Sequence, residues 1–378
     1  MKKVLFATTA LVALGSMASA DVRLSGYGRF GLDYNDSYSD APVQNGTNIP
    51  AQDLPETSIT SRLRLQVDMT TETDGGVVFG ARFRAQAESR DNRAASGPIT
   101  LVDENNDGLF QQREIQAGGG AAFNGARFYA TYGGFTLGVG NIIGAYENMP
   151  GLYLETRSAG VGIDGAGFNS LVGNVNGEYF NWDAYSSAGF GANGVEVLYT
   201  AGGFTGHISY SQTNDLYLRD ANAPIGEAIT SADIVEGRDR TAIMLTYTWN
   251  DWTGSIAYQD SSMEFEDKLA VAVSGDIGPV GVRLAYGDND GIDKWGLYGN
   301  FDIGAAGNMV LFVTDEGEVD AADVANGRGD ANSEGMNWGI NYSYDLGGGV
   351  SFESGLIYQD FDNKDSVTQA QAGVYFSF

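Results

Sequence analysis

The hydrophobic pattern of this chain has a period of two. In residues 366–378, Thr368, Ala370, Ala372, Val374, Phe376 and Phe378 fall on one side, and Gln369, Gln371, Gly373, Tyr375 and Ser377 on the other. Successive side chains of a strand point to opposite faces, so this segment reads as a β-strand with one apolar and one polar face. The alternation recurs in residues 21–34, 59–71, 77–89, 336–345 and 350–361 and around Phe128. Strands of this kind, the last ending on an aromatic residue, suit a sheet with lipid on one side and water on the other.

Short glycine-rich punctuation separates many of these runs. Asp74-Gly75-Gly76, Gly133-Gly134, Gly202-Gly203, Asn250-Asp251, Gly278-Pro279, Ala306-Gly307 and Gly347-Gly348-Gly349 read as hairpin turns. Longer polar connections lie at 35–57, 90–122, 143–192, 213–238 and 317–334, with shorter ones at 262–266, 289–292 and 362–365. Seven tight turns and eight loops predict about sixteen strands. The expected fold is all-β: a transmembrane antiparallel β-barrel with short periplasmic turns and long external loops. About sixteen strands leave an aqueous lumen, whereas about eight fill with side chains.

Composition supports that reading. The chain has 54 Gly, only 7 Pro, 20 Tyr and 19 Phe. With no Cys, nothing but strand pairing is left to hold an exported fold, and a closed barrel leaves no unpaired edge. No apolar run after residue 20 approaches the ~18 residues of a membrane-spanning helix. Residues 1–20 predict a cleaved signal peptide: Lys2 and Lys3, a short apolar core from Val4 to Leu14, then Ala18-Ser19-Ala20. Residues 21–378 are then one domain. The net charge of −28 excludes a default nucleic-acid binder.

Alternation also sorts charge between the faces. Leu63, Leu65, Val67 and Met69 oppose Arg62, Arg64, Gln66 and Asp68. Phe79, Phe83, Ala85 and Ala87 oppose Arg82, Arg84, Gln86 and Glu88, and Val22, Leu24, Phe30 and Leu32 oppose Arg23, Tyr27, Arg29 and Asp33. Arg127 faces away from Phe128. An arginine facing lipid at mid-membrane costs ~2–4 kcal/mol, so all seven arginines point into the lumen. The bland alternative is a solvated polar face with some arginines paired at a rim. The segment 143–193 is too long for an ordinary hairpin loop and holds Glu147, Glu155, Asp164, Glu178 and Asp183 against one Arg157. It is expected to fold into the lumen and set its acids against the basic wall; an external flap is the alternative.

On these residues the chain resembles the general diffusion porins of alphaproteobacteria. The resemblance is carried by the leader, Val22-Arg-Leu-Ser-Gly-Tyr-Gly28, Ser61-Arg-Leu-Arg64, Tyr342-Ser-Tyr-Asp-Leu-Gly-Gly-Gly349 and the terminal Phe378. It implies a homotrimer of sixteen-stranded barrels in the bacterial outer membrane, in contact with lipid and lipopolysaccharide, with the third external loop folded inward as the constriction. Carried over, the basic wall falls on Arg29, Arg62, Arg64, Arg82, Arg84 and Arg127, and the acidic loop on Glu147, Glu155 and Asp164. The loops at 90–122 and 213–238 are long for that family.

The expected function is a passive channel for small hydrophilic solutes and ions, weakly cation-preferring because acidic loops surround the mouth. A barrel whose loops bind a partner, as an adhesin or structural protein, is the alternative. Enzymatic readings fare poorly. His207 is the only His, no Cys exists, no phosphate-binding G-x-x-x-x-G-K-[ST] occurs, and Gly138-Val-Gly-Asn-Ile-Ile-Gly144 misses the dinucleotide spacing. No cofactor is required. Residues 103–114 do match an EF-hand calcium loop, with Asp103, Asn105, Asp107, the Leu109 carbonyl and Glu114 as oxygen ligands. Flanking helices are not expected there, and a metal-free acidic loop is the alternative. Calcium titration of the purified protein decides: the calcium reading expects binding heat and slower proteolysis of this loop, and neither signal ends it.

Overall fold

The computed structural model describes residues 21–38, 56–90, 100–102, 111–113, 122–153, 172–173, 193–214, 216–217, 234–235, 237–325, 334–362 and 364–378. Sixteen antiparallel strands form one closed sheet: β1 (Asp21–Asn35), β2 (Thr57–Glu72), β3 (Val78–Arg90), β4 (Arg127–Tyr132), β5 (Phe135–Gly140), β6 (Asn193–Ala201), β7 (Phe204–Gln212), β8 (Asp239–Trp249), β9 (Trp252–Ser261), β10 (Lys268–Ile277), β11 (Val280–Asn289), β12 (Ile292–Ile303), β13 (Gly307–Glu316), β14 (Gly335–Gly347), β15 (Val350–Phe361) and β16 (Val367–Ser377). A two-residue piece, Ala122–Phe123, extends the β4 position along β3.

Each strand pairs with its sequence neighbours, and β1 closes the ring by pairing with both β2 and β16. The closure runs from Tyr27 opposite Ser377 to Asn35 opposite Gln369, and the Phe378 and Gly26 backbones exchange hydrogen bonds beyond it. Among the described residues, closure pairs the first and last strands of the sheet, so neither is an open edge. The seven tight turns fall at one rim as the glycine pattern predicts, with one shift. The β12–β13 turn spans residues 304–306 rather than starting at Ala306, because Gly304 takes the left-handed conformation (φ +70°).

The two faces are sharply different. On β11, Leu284 is 59 % exposed on the outside while its neighbour Ala285 is 1 % exposed on the inside. Ile208, Leu245, Ile256, Val273, Leu297 and Leu311 continue the apolar outer band. Exposed aromatics bound it at both rims. Tyr132, Phe135, Tyr199, Tyr247 and Trp249 lie towards the tight turns, and Tyr210, Tyr258, Tyr286, Trp295 and Trp338 towards the long loops. Amphipathic rings settle at the two membrane–water boundaries, so the girdles mark where the hydrocarbon layer ends. No described helix is long and apolar enough to cross a membrane.

Candidate functional site

The inner faces of β1 to β4 carry the arginines that the alternation predicts. Register turns them into rungs across β2 and β3: Arg62 opposite Glu88, Arg64 opposite Gln86, Gln66 opposite Arg84 and Asp68 opposite Arg82. Among the rungs with described side chains, Arg64 and Arg84 meet amides and Arg82 meets an acid. Arg64 donates through Nε (2.8 Å) and Nη2 (2.5 Å) to Gln86 Oε1, and Arg84 Nε to Gln66 Oε1 at 2.8 Å. Arg82 Nε donates to Asp68 Oδ1 at 2.5 Å, while Gln66 Nε2 reaches Asp68 Oδ2 at 2.7 Å. On β1, Arg29 is buried opposite Arg62, and Arg23 stands opposite Asp68.

Arg127 on β4 is in register with Arg82, a like-charge pair. It turns instead across β5 to Glu196 on β6, with Nη2 2.5 Å from Oε1. The residue that Glu196 passes over is Gly138, where an added Cβ would lie 2.3 Å from the carboxylate oxygen. The glycines that fail as a dinucleotide fingerprint therefore have a different use. Gly138 lets the ion pair form. Gly140 (φ +100°) ends β5 and bends the chain inward, and a Cβ there would press on the Ala126 carbonyl at 2.3 Å.

Beyond Gly140 the chain enters the barrel and lies on the inner wall opposite the arginines. The described residues 141–153 and 172–173 pack Tyr146, Met149, Leu152 and Val172 onto Ala242, Met244, Ala257, Ala270, Ala272, Ala285, Tyr298, Phe312 and Ile357. Five of those floor residues are alanines, which leave room for the larger side chains above. Burying each Leu or Met stabilises the seat by roughly 1.5–3 kcal/mol. Burial also pushes the Tyr146 phenol above its ordinary pKa. Polar clasps fix the register: Ala145 N–H to Ser209 Oγ (2.8 Å), Arg283 Nη1 to the Tyr153 carbonyl (2.5 Å) and Asn289 Nδ2 to the Val172 carbonyl (3.0 Å).

His207 is buried beneath this segment, between Asn148 Nδ2 (3.3 Å from Nδ1) and Glu196 Oε2 (3.1 Å from Nε2). Glu196 thus joins the basic wall to the inward segment. Arg82, Arg84, Arg127, Asn141, Asn148 and Glu196 line one recess of about 180 Å³ where wall and segment meet. Farther round the ring, charge on the inner face is locally paired, as in Lys294–Glu316 (2.6 Å) and Arg240–Glu266 (2.9 Å), both buried.

Of the expected acidic loop residues, Glu147 lies on the inward segment and is buried. Glu155 and Asp164 lie outside the described residues, as do Asp103, Asn105, Asp107, Leu109 and Glu114 of the calcium motif and the leader at 1–20. The expectation set the loop acids Glu147, Glu155 and Asp164 against the wall. The described acid bonded to Arg127 is Glu196, from a strand. Its sequence signal was a lone acid between the outward Val195 and Val197, on the face that alternation sends inward.

The sequence model of one family, described as Gram-negative porin, matches residues 7–377. Among curated proteins, a porin of Fuscovulum blasticum is 28% identical over 362 residues, covering 95% of this chain and 100% of that protein. A porin of Rhodobacter capsulatus is 24% identical over 377 residues, covering 95% and 100% likewise. Among solved structures, a triple mutant of Rhodopseudomonas blastica porin superposes with a TM-score of 0.63 at 24% identity, over 95% of this chain and 100% of that one. That likeness establishes the shared fold.

The seat of the inward segment is testable. Leu152→Asp puts a carboxylate into the alanine-floored cluster, where an unpaired charge is strongly disfavoured. The segment is expected to leave the wall, giving faster proteolysis within it and a larger, noisier single-channel conductance. Wild-type protection and conductance in this variant contradict the seat.

Proposed function

The chain belongs to the Gram-negative porin family and is an outer-membrane diffusion channel, and from that premise we propose that it passes small hydrophilic solutes and ions passively, as a homotrimer, with weak preference for cations and no catalysis. The carrying observation is the pairing of an apolar, girdled exterior with an arginine-lined interior. Such a section disfavours apolar solutes and favours those that exchange hydration water for fixed charge.

The arginines of β2 to β4 stand on one side and the inward segment, which carries Glu147, on the other, with Glu196 at the seam between them. A field directed across the opening orients polar solutes, and low-dielectric walls strengthen it. The weak cation preference rests on the sequence charge of −28 and the many acids of the long connections. Glu147, Glu155 and Asp164 belong to the proposed constriction on the length and acid content of the segment 143–193 and on the resemblance. Trimeric assembly and contact with lipopolysaccharide rest on the resemblance, removal of residues 1–20 rests on the basic start, apolar core and Ala18-Ser19-Ala20 pattern, and calcium at residues 103–114 rests on motif spacing. A partner-binding adhesin is not favoured, since it has no use for an arginine ladder turned inward.

Planar-bilayer recording tests this reading. Purified protein is expected to give large, steady, stepwise currents and, in a KCl gradient, a small reversal potential of cation-selective sign. Strong anion selectivity overturns the preference, and electrical silence overturns the channel.

A further inference from the structure

One carboxylate serves two partners at the seam between wall and segment. Glu196 Oε1 accepts from Nε and Nη2 of Arg127, at 2.5 Å each, and Oε2 lies 3.1 Å from Nε2 of His207. The Glu196 and His207 side chains are 2 % and 0 % exposed, whereas Arg127 keeps 19 %. Arg127, Glu196 and Arg82 all border the recess of about 180 Å³. Little water screens charges held this way, so each feels the others strongly.

The Arg127–Glu196 pair carries no net charge. Glu196 therefore decides how much of the guanidinium charge a passing ion meets. It also decides where that guanidinium points. Register places Arg127 beside Arg82, yet the group sits 5.1 Å over the Tyr129 ring with its donors turned to Oε1.

His207, the only histidine of the chain, draws on the same carboxylate. A histidine ordinarily gains its second ring proton between about pH 8 and pH 5. Asn148 Nδ2 donates to Nδ1, so the neutral ring carries its proton on Nε2, facing Oε2. A second proton, on Nδ1, makes the ring a cation, and one carboxylate then faces two positive groups. On the wall side the charged or titratable groups are Glu196 and, beyond it, Arg127 and Tyr129. On the inward segment Tyr146 and Glu147 precede Asn148 and are buried. The rung neighbours of His207, Leu198 and Met244, carry no charge.

We propose that Glu196 is a positioning residue that sets ion selectivity where the inward segment meets the basic wall, acting through Arg127, and that proton uptake by His207 moves this setting towards anions. The inference rests on the channel reading above and adds a determinant to it. It concerns changes relative to the unsubstituted protein, so it stands apart from that protein's own preference.

Reversal potentials in a KCl gradient test it. At about pH 7.5, Glu196→Gln is expected to lower the ratio of potassium to chloride permeability about two- to threefold, the factor that one unit charge exerts through water over several ångströms. Adding Arg127→Gln to that variant is expected to bring the ratio back, which lost packing would not do. Between about pH 7.5 and pH 5.5, where exposed carboxylates stay ionised, the unsubstituted protein is expected to shift in the same direction and His207→Gln to stay level. The pH comparison carries the test if Glu196→Gln fails to fold. An unchanged ratio in folded Glu196→Gln, no return in the double variant, no pH response in the unsubstituted protein, or a response that survives His207→Gln overturns the proposal. Absence of KCl steps overturns the channel itself, and the proposal with it.

Discussion

A peptide group in hydrocarbon has no water to bond, so its N–H and C=O must find partners within the protein. Here the constraint is met by one continuous antiparallel ladder that returns to its start, with β16 against β1. The rest of the architecture follows. A closed ladder gives every strand an outside and an inside, and the period-two pattern allots them to lipid and to polar lining. The exposed leucines, isoleucines and valines that would be a liability in a soluble protein are the lipid contact here.

The inside is divided as well. Over β1 to β4 it is basic and ordered into cross-strand rungs. Over much of β8 to β11 it is floored with alanine and takes the inward segment. A wide barrel needs something to narrow it, and a segment that rests on a dry apolar floor does so without filling the charged side. Glu196 and His207 sit at the seam, so the segment and the basic wall share one bonded network. Local pairing of buried charges farther round, as at Lys294–Glu316, leaves the basic character concentrated on the early strands.

Much of the fold was legible in the sequence because strand period, turn glycines and the cost of an arginine in lipid are local rules. They place Arg62 and Leu63 on opposite faces with no knowledge of any neighbour. What they do not supply is register. That Arg64 meets Gln86 while Arg82 meets Asp68 depends on which residues stand opposite, and a shift of one residue would exchange faces. Glu196 was missed for the same reason: its partner Arg127 lies two strands away across Gly138. The alanines of the floor are plain strand residues until the segment from Gly140 onwards is known to lie on them. The aromatic girdles were also overlooked, since the rings come from many strands and only the closed ladder brings them to common levels.

The chain has no native cysteine, so single cysteines can be introduced along β2 and read without background. The decisive measurement is labelling of positions 62 to 69, one at a time, by a charged thiol reagent with the protein in lipid vesicles. The account expects label at 62, 64, 66 and 68 and protection at 63, 65, 67 and 69. Uniform labelling, or the opposite alternation, would contradict a barrel that turns its apolar side to lipid and its arginines to water.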